Sequence, residues 1–322
     1  MKRKAPKARQ RNRRCDPLID LNYLERIRLV ASPRGQVFIA RLLLVPNYRL
    51  FADLDIVLEG AENIPPDETV IFAMNHTDRF NYWPFQFKLW RKGLPFTTVW
   101  VKGKYYRNRA LGKILDGCNL IPVPSMGYVI EEFYGKRFGR KMDRKEYRVV
   151  RDVVDGSRDP AESARELAES TAGYFGEALI EHLRDYHETL MDRVAELSRE
   201  ALFELGLNLI IFPEGTRSQR LGEGRSGIAQ LALATGKKIV PVGCSHSDKV
   251  YTGSLPVAKS GRIVYRVGKP LTPEGDLRDY RIDEPFRLFS RESQEKYRDR
   301  FDGATRLVME RINALLDDEY RR

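Results

Sequence analysis

Two short stretches carry residues whose types and spacing could do chemistry. In "NHTDRFN" (75–81), His76 follows the apolar run "TVIFAM", with Asp78 two residues on and Asn81 five. Histidine, with an unperturbed pKa of about 6.5, can take a proton from a hydroxyl at neutral pH. Such a base needs a partner on its other ring nitrogen. The Asn81 carbonyl can accept that hydrogen bond and select the tautomer, but it adds no negative charge. Asp78 would add charge, yet in a regular helix a residue two positions away points to another face. Both candidates stand. The second stretch, "FPEGTRS" (212–218), puts Glu214, Gly215, Thr216 and Arg217 just after the buried-strand run "LNLIIF". An arginine there offers a planar fork suited to phosphate or carboxylate.

The elements that must position these residues read as alternating strands and helices. "FADLDIVLEG", "TVIFAMN", "FTTVWVKG", "NLIPVP", "LNLIIF", "KKIVPVG" and "GRIVYRVGKPL" have strand character, and helical periods lie between them. That pattern predicts an α/β fold, a mixed and largely parallel sheet flanked by helices. In such sheets ligands bind at the carboxyl ends of strands, where both stretches fall. A charge-rich region with helical period, about 126–205, reads as an insertion ahead of "LNLIIF". His182 and His187 lie in it five residues apart, about 140° around a helix, and read as surface positions. His246 follows "IVPVGCS" near the same sheet edge and reads as a packed loop residue.

The chain has 322 residues and a net charge of +11. Eight basic residues and no acid occur in positions 1–14, which leaves +3 on the rest. We divide the chain into a basic arm (1–15), an N-terminal helical segment (16–51) that covers the core or docks on a membrane, and a main domain (52–322). A basic arm attracts an anionic membrane surface or serves as a solubilising tail. Nucleic acid is a poor fit, because the weakly charged body lacks further basic clusters. No run approaches the ~20 apolar residues of a spanning helix. Three scattered cysteines, Cys15, Cys118 and Cys244, argue for reduced thiols and against a metal site. The aromatic cluster Phe80, Tyr82, Trp83, Phe85, Phe87 and Trp90 is core, or it lines a channel.

Taken together, the blocks resemble the lysophospholipid/glycerophosphate acyltransferase superfamily, typified by 1-acylglycerol-3-phosphate acyltransferases. "NHTDRFN" matches that family's histidine block, "VKGKYY…GCNLIPVPS" (101–125) its basic middle block, "FPEGTRS" its third block at every position, and "IVPVG" (239–243) its fourth. The resemblance implies transfer of an acyl group from acyl-CoA or acyl carrier protein to a lysophospholipid hydroxyl, in phospholipid biosynthesis. The acceptor it implies first is 1-acylglycerol-3-phosphate, and the location is the cytoplasmic membrane face, peripherally bound. No cofactor or metal is implied beyond the thioester co-substrate. His76 would be the base, and Arg217, helped by Lys102, the phosphate binder. Glu214 and Gly215 would shape the turn that presents Arg217, with Glu214 also placed to hold acceptor hydroxyls. Two departures stand out. The family's acid position falls on Asn81, and the middle block reads Ile-Pro-Val-Pro-Ser where Ile-Pro-Val-Asp-Arg is usual. Without that arginine, phosphate recognition rests on Lys102, Lys104 and Arg217, or the acceptor is another lipid, such as a glycolipid or amino-acid lipid. An inactive lipid-binding relative is the remaining alternative.

Overall fold

The computed structural model describes residues 19–322 apart from 108 and 168. The basic arm and Cys15 lie outside the described residues. Seven strands form one sheet: β1 (Leu54–Glu59), β2 (Ile71–Met74), β3 (Thr97–Lys102), β4 (Leu120–Val123), β5 (Asn208–Ile211), β6 (Ile239–Ser245) and β7 (Gly261–Val267). Their spatial order is β1-β7-β6-β2-β5-β3-β4. The neighbours from β6 through β4 are parallel, whereas β7 runs antiparallel to β6 and pairs in parallel with β1. The sheet is therefore α/β, mixed and largely parallel.

The central strands are continuous apolar runs because both sheet faces are covered. Every residue of β2, β5 and β6 is buried. In-register parallel neighbours share a face, so Phe72 on β2, Ile210 on β5 and Val99 on β3 point the same way. That face is covered by the helix Tyr82–Arg91, through Phe85 packed edge-on against Phe72. The opposite face meets the helices Gly227–Thr235 and Arg298–Ala314 and the long helix Glu177–Arg199, where Trp100 donates from its indole N–H to Ser198 at 3.0 Å.

The N-terminal segment is both a cover and a surface. A short helix, Leu21–Arg26, buries Leu24. A second helical run begins at Arg34 and continues to Phe51 through two π turns, Ala40–Leu44 and Asn47–Phe51. These flank Pro46, which has no N–H for the α-helical ladder. Leu44 and Tyr48 are buried, while Phe38, Leu42, Leu50 and Phe51 stay 63–80% exposed.

Between β4 and β5 stand the helices Met126–Phe138, Arg144–Val154, Pro160–Ala164, Glu169–Tyr174 and Glu177–Arg199. Buried Glu146 knots them together. It completes a capping box with Asp143 and accepts from Tyr134 at 3.3 Å and Thr171 at 3.0 Å. Glu146 thus ties the inserted helices to one another, while their apolar side chains join the same core as the sheet.

Candidate active site

Because β2, β5, β3 and β4 are parallel and adjacent, their carboxyl ends lie side by side on one edge of the sheet. This edge collects His76, the turn 213–217, Lys102 and Ser125. All line one cleft of about 1780 Å³ except Glu214, which lies beneath it.

His76 is held from several sides. Its backbone N–H donates to Glu214 Oε1 at 2.8 Å, and its carbonyl accepts from the Ser218 N–H at 2.9 Å. The ring stacks on Phe212, with centroids 4.1 Å apart. Just before it, the Asn75 side chain bonds both the N–H and the carbonyl of Cys244, tying the end of β2 to β6.

Asn81 is fully buried, and its amide has one sensible orientation. Its Nδ2 donates to the Asn75 carbonyl at 2.8 Å, which turns Oδ1 toward His76 Nδ1 at 3.3 Å. A carbonyl oxygen can only accept, so Nδ1 carries the proton and Nε2 keeps its lone pair. Asp78 is turned away into its own loop, where it accepts from the Phe80 N–H at 2.7 Å and the Thr77 hydroxyl at 3.1 Å. The neighbour that touches the histidine is therefore the amide.

Burial pushes the His76 pKa down to about 4. The Asn81 hydrogen bond opposes that shift, and the nearby positive charges of Arg217 and Lys102 add to it. The ring is neutral at physiological pH.

Glu214 is buried with both carboxylate oxygens engaged, one by the His76 N–H and the other by the Gly222 N–H at 2.8 Å. It braces the histidine loop against the arginine loop, and its oxygens are occupied by backbone. Gly215 takes a left-handed φ of 64°, and a Cβ there would lie 3.1 Å from the Arg225 side chain. Glycine is thus needed for the turn and for the approach of Arg225. Thr216 and Arg217 are exposed along the cleft.

Lys102, Lys104, Arg217 and Arg225 gather beside His76. Burial, followed by the charges of Lys104, Arg225 and Arg217, lowers the Lys102 pKa. Among the described residues no carboxylate forms an ion pair with any of the four. Cations left together without a counter-charge make a site for an anion. Arg225 was not singled out from the sequence; the one signal is its place between glycines in "GEGRSG", eight residues after Arg217.

From His76 the cleft continues over an apolar floor and wall that include Leu43, Leu44, Trp83, Phe87 and Trp90. The aromatic cluster therefore divides: Phe85 is core, whereas Phe80, Tyr82, Trp83, Phe87 and Trp90 line the cleft.

The other histidines resolve differently. His182 is exposed, but His187 is not the surface residue its helix position suggested. It faces inward and bonds the Pro124 carbonyl at 3.1 Å. His246 pairs with Asp317 at 2.8 Å and secures the C-terminal tail. Cys118 and Cys244 are free and buried.

The family model described as Acyltransferase matches residues 55–245, more than half of the chain. No curated protein matches. Among solved structures, the chain is similar to the crystal structure of the 1-acyl-sn-glycerophosphate (LPA) acyltransferase PlsC from Thermotoga maritima, at 16% identity and a TM-score of 0.40. That likeness covers 91% of this chain and 88% of the other. At that distance no residue's role carries over from it.

Proposed function

Since this chain belongs to the acyltransferase family, we propose that it moves a fatty acyl group from acyl-CoA or acyl carrier protein to a hydroxyl of a lysophospholipid, with 1-acylglycerol-3-phosphate as the minimal acceptor. The observation that carries this reading is a neutral histidine with its Nε2 lone pair available, set between a cluster of unpaired cations and an apolar cleft.

The chemistry follows from that arrangement. The acceptor phosphate lies against Arg217, Arg225 and Lys102, and its acyl chain against the apolar wall. His76 Nε2 removes the hydroxyl proton as the oxygen attacks the thioester carbonyl. The tetrahedral intermediate then expels the thiolate, which takes the proton back from the imidazolium. Asn81 keeps the ring in the productive tautomer throughout, though it offers the imidazolium a dipole where a carboxylate would offer a charge. Part of that missing charge comes with the substrate, because a bound phosphate offsets Arg217 and Lys102. Mixing protein, acyl-CoA and lysophosphatidate and following free thiol tests the reading. Steady acceptor-dependent release supports it, and no release with any lysolipid defeats it.

The electrostatics make a second result measurable. In a histidine NMR titration of the free protein, His76 stays in the Nδ1–H neutral form at pH 6 and protonates only toward about pH 4. Saturating glycerol 3-phosphate moves that midpoint up. A midpoint near 6.5 with or without the anion would contradict the site as described. An unfolded ring protonates near 6.5 and the folded one only near 4, so this contribution to stability is complete above about pH 6.5. It declines as pH falls from there toward 4. His187, also lowered to about 4 by burial, acts in the same direction.

The same reading places the protein on the cytoplasmic face of a membrane, where both lipids reside. No described helix is long and apolar enough to cross one. Support comes from exposed apolar side chains: Ile114 and Leu255, the latter 68% exposed, line the cleft, and Phe38 and Leu42 stand on the N-terminal helical run whose Ile39 and Leu43 line it. Asp at both Phe38 and Leu42 should lower partitioning onto anionic vesicles at least about tenfold, since each side chain buried in lipid contributes roughly 2 kcal/mol. A flotation assay reads the change; equal flotation of variant and parent would place the contact elsewhere.

A further inference from the structure

The inserted helices form the far wall of the cleft, and they turn polar groups into it. Ser125 follows β4 and caps the helix Met126–Phe138. Tyr147 and Arg151 stand one turn apart on the helix Arg144–Val154, and His187 comes from the helix Glu177–Arg199. All four line the cleft. The Tyr147 hydroxyl lies so close over Gly127 that a Cβ there would come within 2.0 Å of it. Glycine at 127 is what lets the phenol reach the cleft, and among the described residues its hydroxyl has no hydrogen-bond partner. His187 donates from Nε2 to the Pro124 carbonyl, which leaves Nδ1 as a bare acceptor.

The order of groups along the sheet edge matters. From β2 the neighbours run β5, β3, β4. At ~4.8 Å per strand the Ser125 end lies roughly 14 Å from His76, with the cation cluster between them. An acceptor with its hydroxyl at His76 and its phosphate on Arg217, Arg225 and Lys102 therefore points any group esterified to that phosphate at Ser125, Tyr147 and His187. A phosphomonoester leaves this end of the cleft to water. The donor is a poorer occupant, because its phosphates are separated from the thioester by the whole pantetheine arm, whereas the cations crowd His76. Arg151 is paired with Asp155 at 2.6 Å, so it is the cation cluster around the phosphate that disfavours a cationic head group.

Resting on the acyltransferase reading above, we propose that the acceptor is a lysophospholipid whose phosphodiester carries an uncharged, hydroxylated head group, and that Tyr147 and His187 read its hydroxyls.

The test compares lysophosphatidylglycerol, lysophosphatidate and lysophosphatidylethanolamine in two ways. In thiol release, lysophosphatidylglycerol should have the highest kcat/KM, and Tyr147→Phe should shrink its advantage over lysophosphatidate about tenfold, the effect of one hydrogen bond. In calorimetric binding of short-chain versions to the His76→Ala protein, which needs no turnover, the same preference and the same loss should appear. Equal binding of all three, or a Tyr147→Phe loss shared by all three in proportion, overturns the head-group assignment. Absence of thiol release with every acceptor overturns the acyltransferase reading instead, and the binding preference then decides the head-group assignment by itself.

Discussion

Replacing His76 by alanine should lower kcat/KM for thiol release about a thousandfold, within the range that a positioned general base contributes. Acceptor binding should be nearly unchanged. The division matters, because a histidine that merely packed against Phe212 would, on removal, loosen the loop and raise KM as well. The ring is part-buried and its backbone is separately held by Glu214 and Ser218. The loop therefore keeps its path without the imidazole, and thermal unfolding checks that directly.

The second large effect is on binding. Alanine at both Arg217 and Arg225 should raise KM for phosphorylated acceptors by a hundredfold or more. Each charge-assisted hydrogen bond is worth roughly 1.5–3 kcal/mol, about tenfold to a hundredfold. Neither arginine has an ion-pair partner among the described residues, so removal strands no carboxylate and should leave stability nearly intact. A monoacylglycerol, which lacks phosphate, provides the control: its slow turnover should be insensitive to the double substitution. Equal losses for both acceptors would mean that the arginines organise the loop and do not hold the anion.

Much of this layout was legible in the residues. Strands β2, β5 and β6 announce themselves as short β-branched runs because both their faces are buried, and burial on both faces erases polar alternation. The two stretches at their ends were recognisable for the same reason: each follows directly on such a run. Other features depend on pairings that no local pattern encodes. That β7 runs antiparallel to β6 is decided by its connection, not by its composition. Asn81 and Asp78 could not be ranked by spacing, since the turn 75–81 is neither helix nor strand. What settles the matter is the Asn75 carbonyl, which takes the amide N–H₂ and aims Oδ1 at the ring.

The misses share one cause. Helical period says that His182 and His187 lie about 140° apart, but not which of them meets a neighbour. Here Pro124, just past β4, covers His187 and leaves His182 outside. Arg225 was hidden in the same way, because its approach to Gly215 is a contact between two loops. Tyr147 needed Gly127, twenty residues earlier, to be seen as anything but a helix-surface aromatic.

The most direct measurement is a rapid-mixing experiment in which protein and acyl-CoA are combined first and lysophospholipid is added second. With His76 as a base acting on the acceptor hydroxyl, no thiol should appear in the first step and the intact protein mass should stay unchanged. The second addition should then release one thiol for each new ester found by mass spectrometry. A stoichiometric burst of thiol before the acceptor arrives, with the protein heavier by one acyl group, would contradict direct transfer and give the chemistry to a covalent enzyme intermediate.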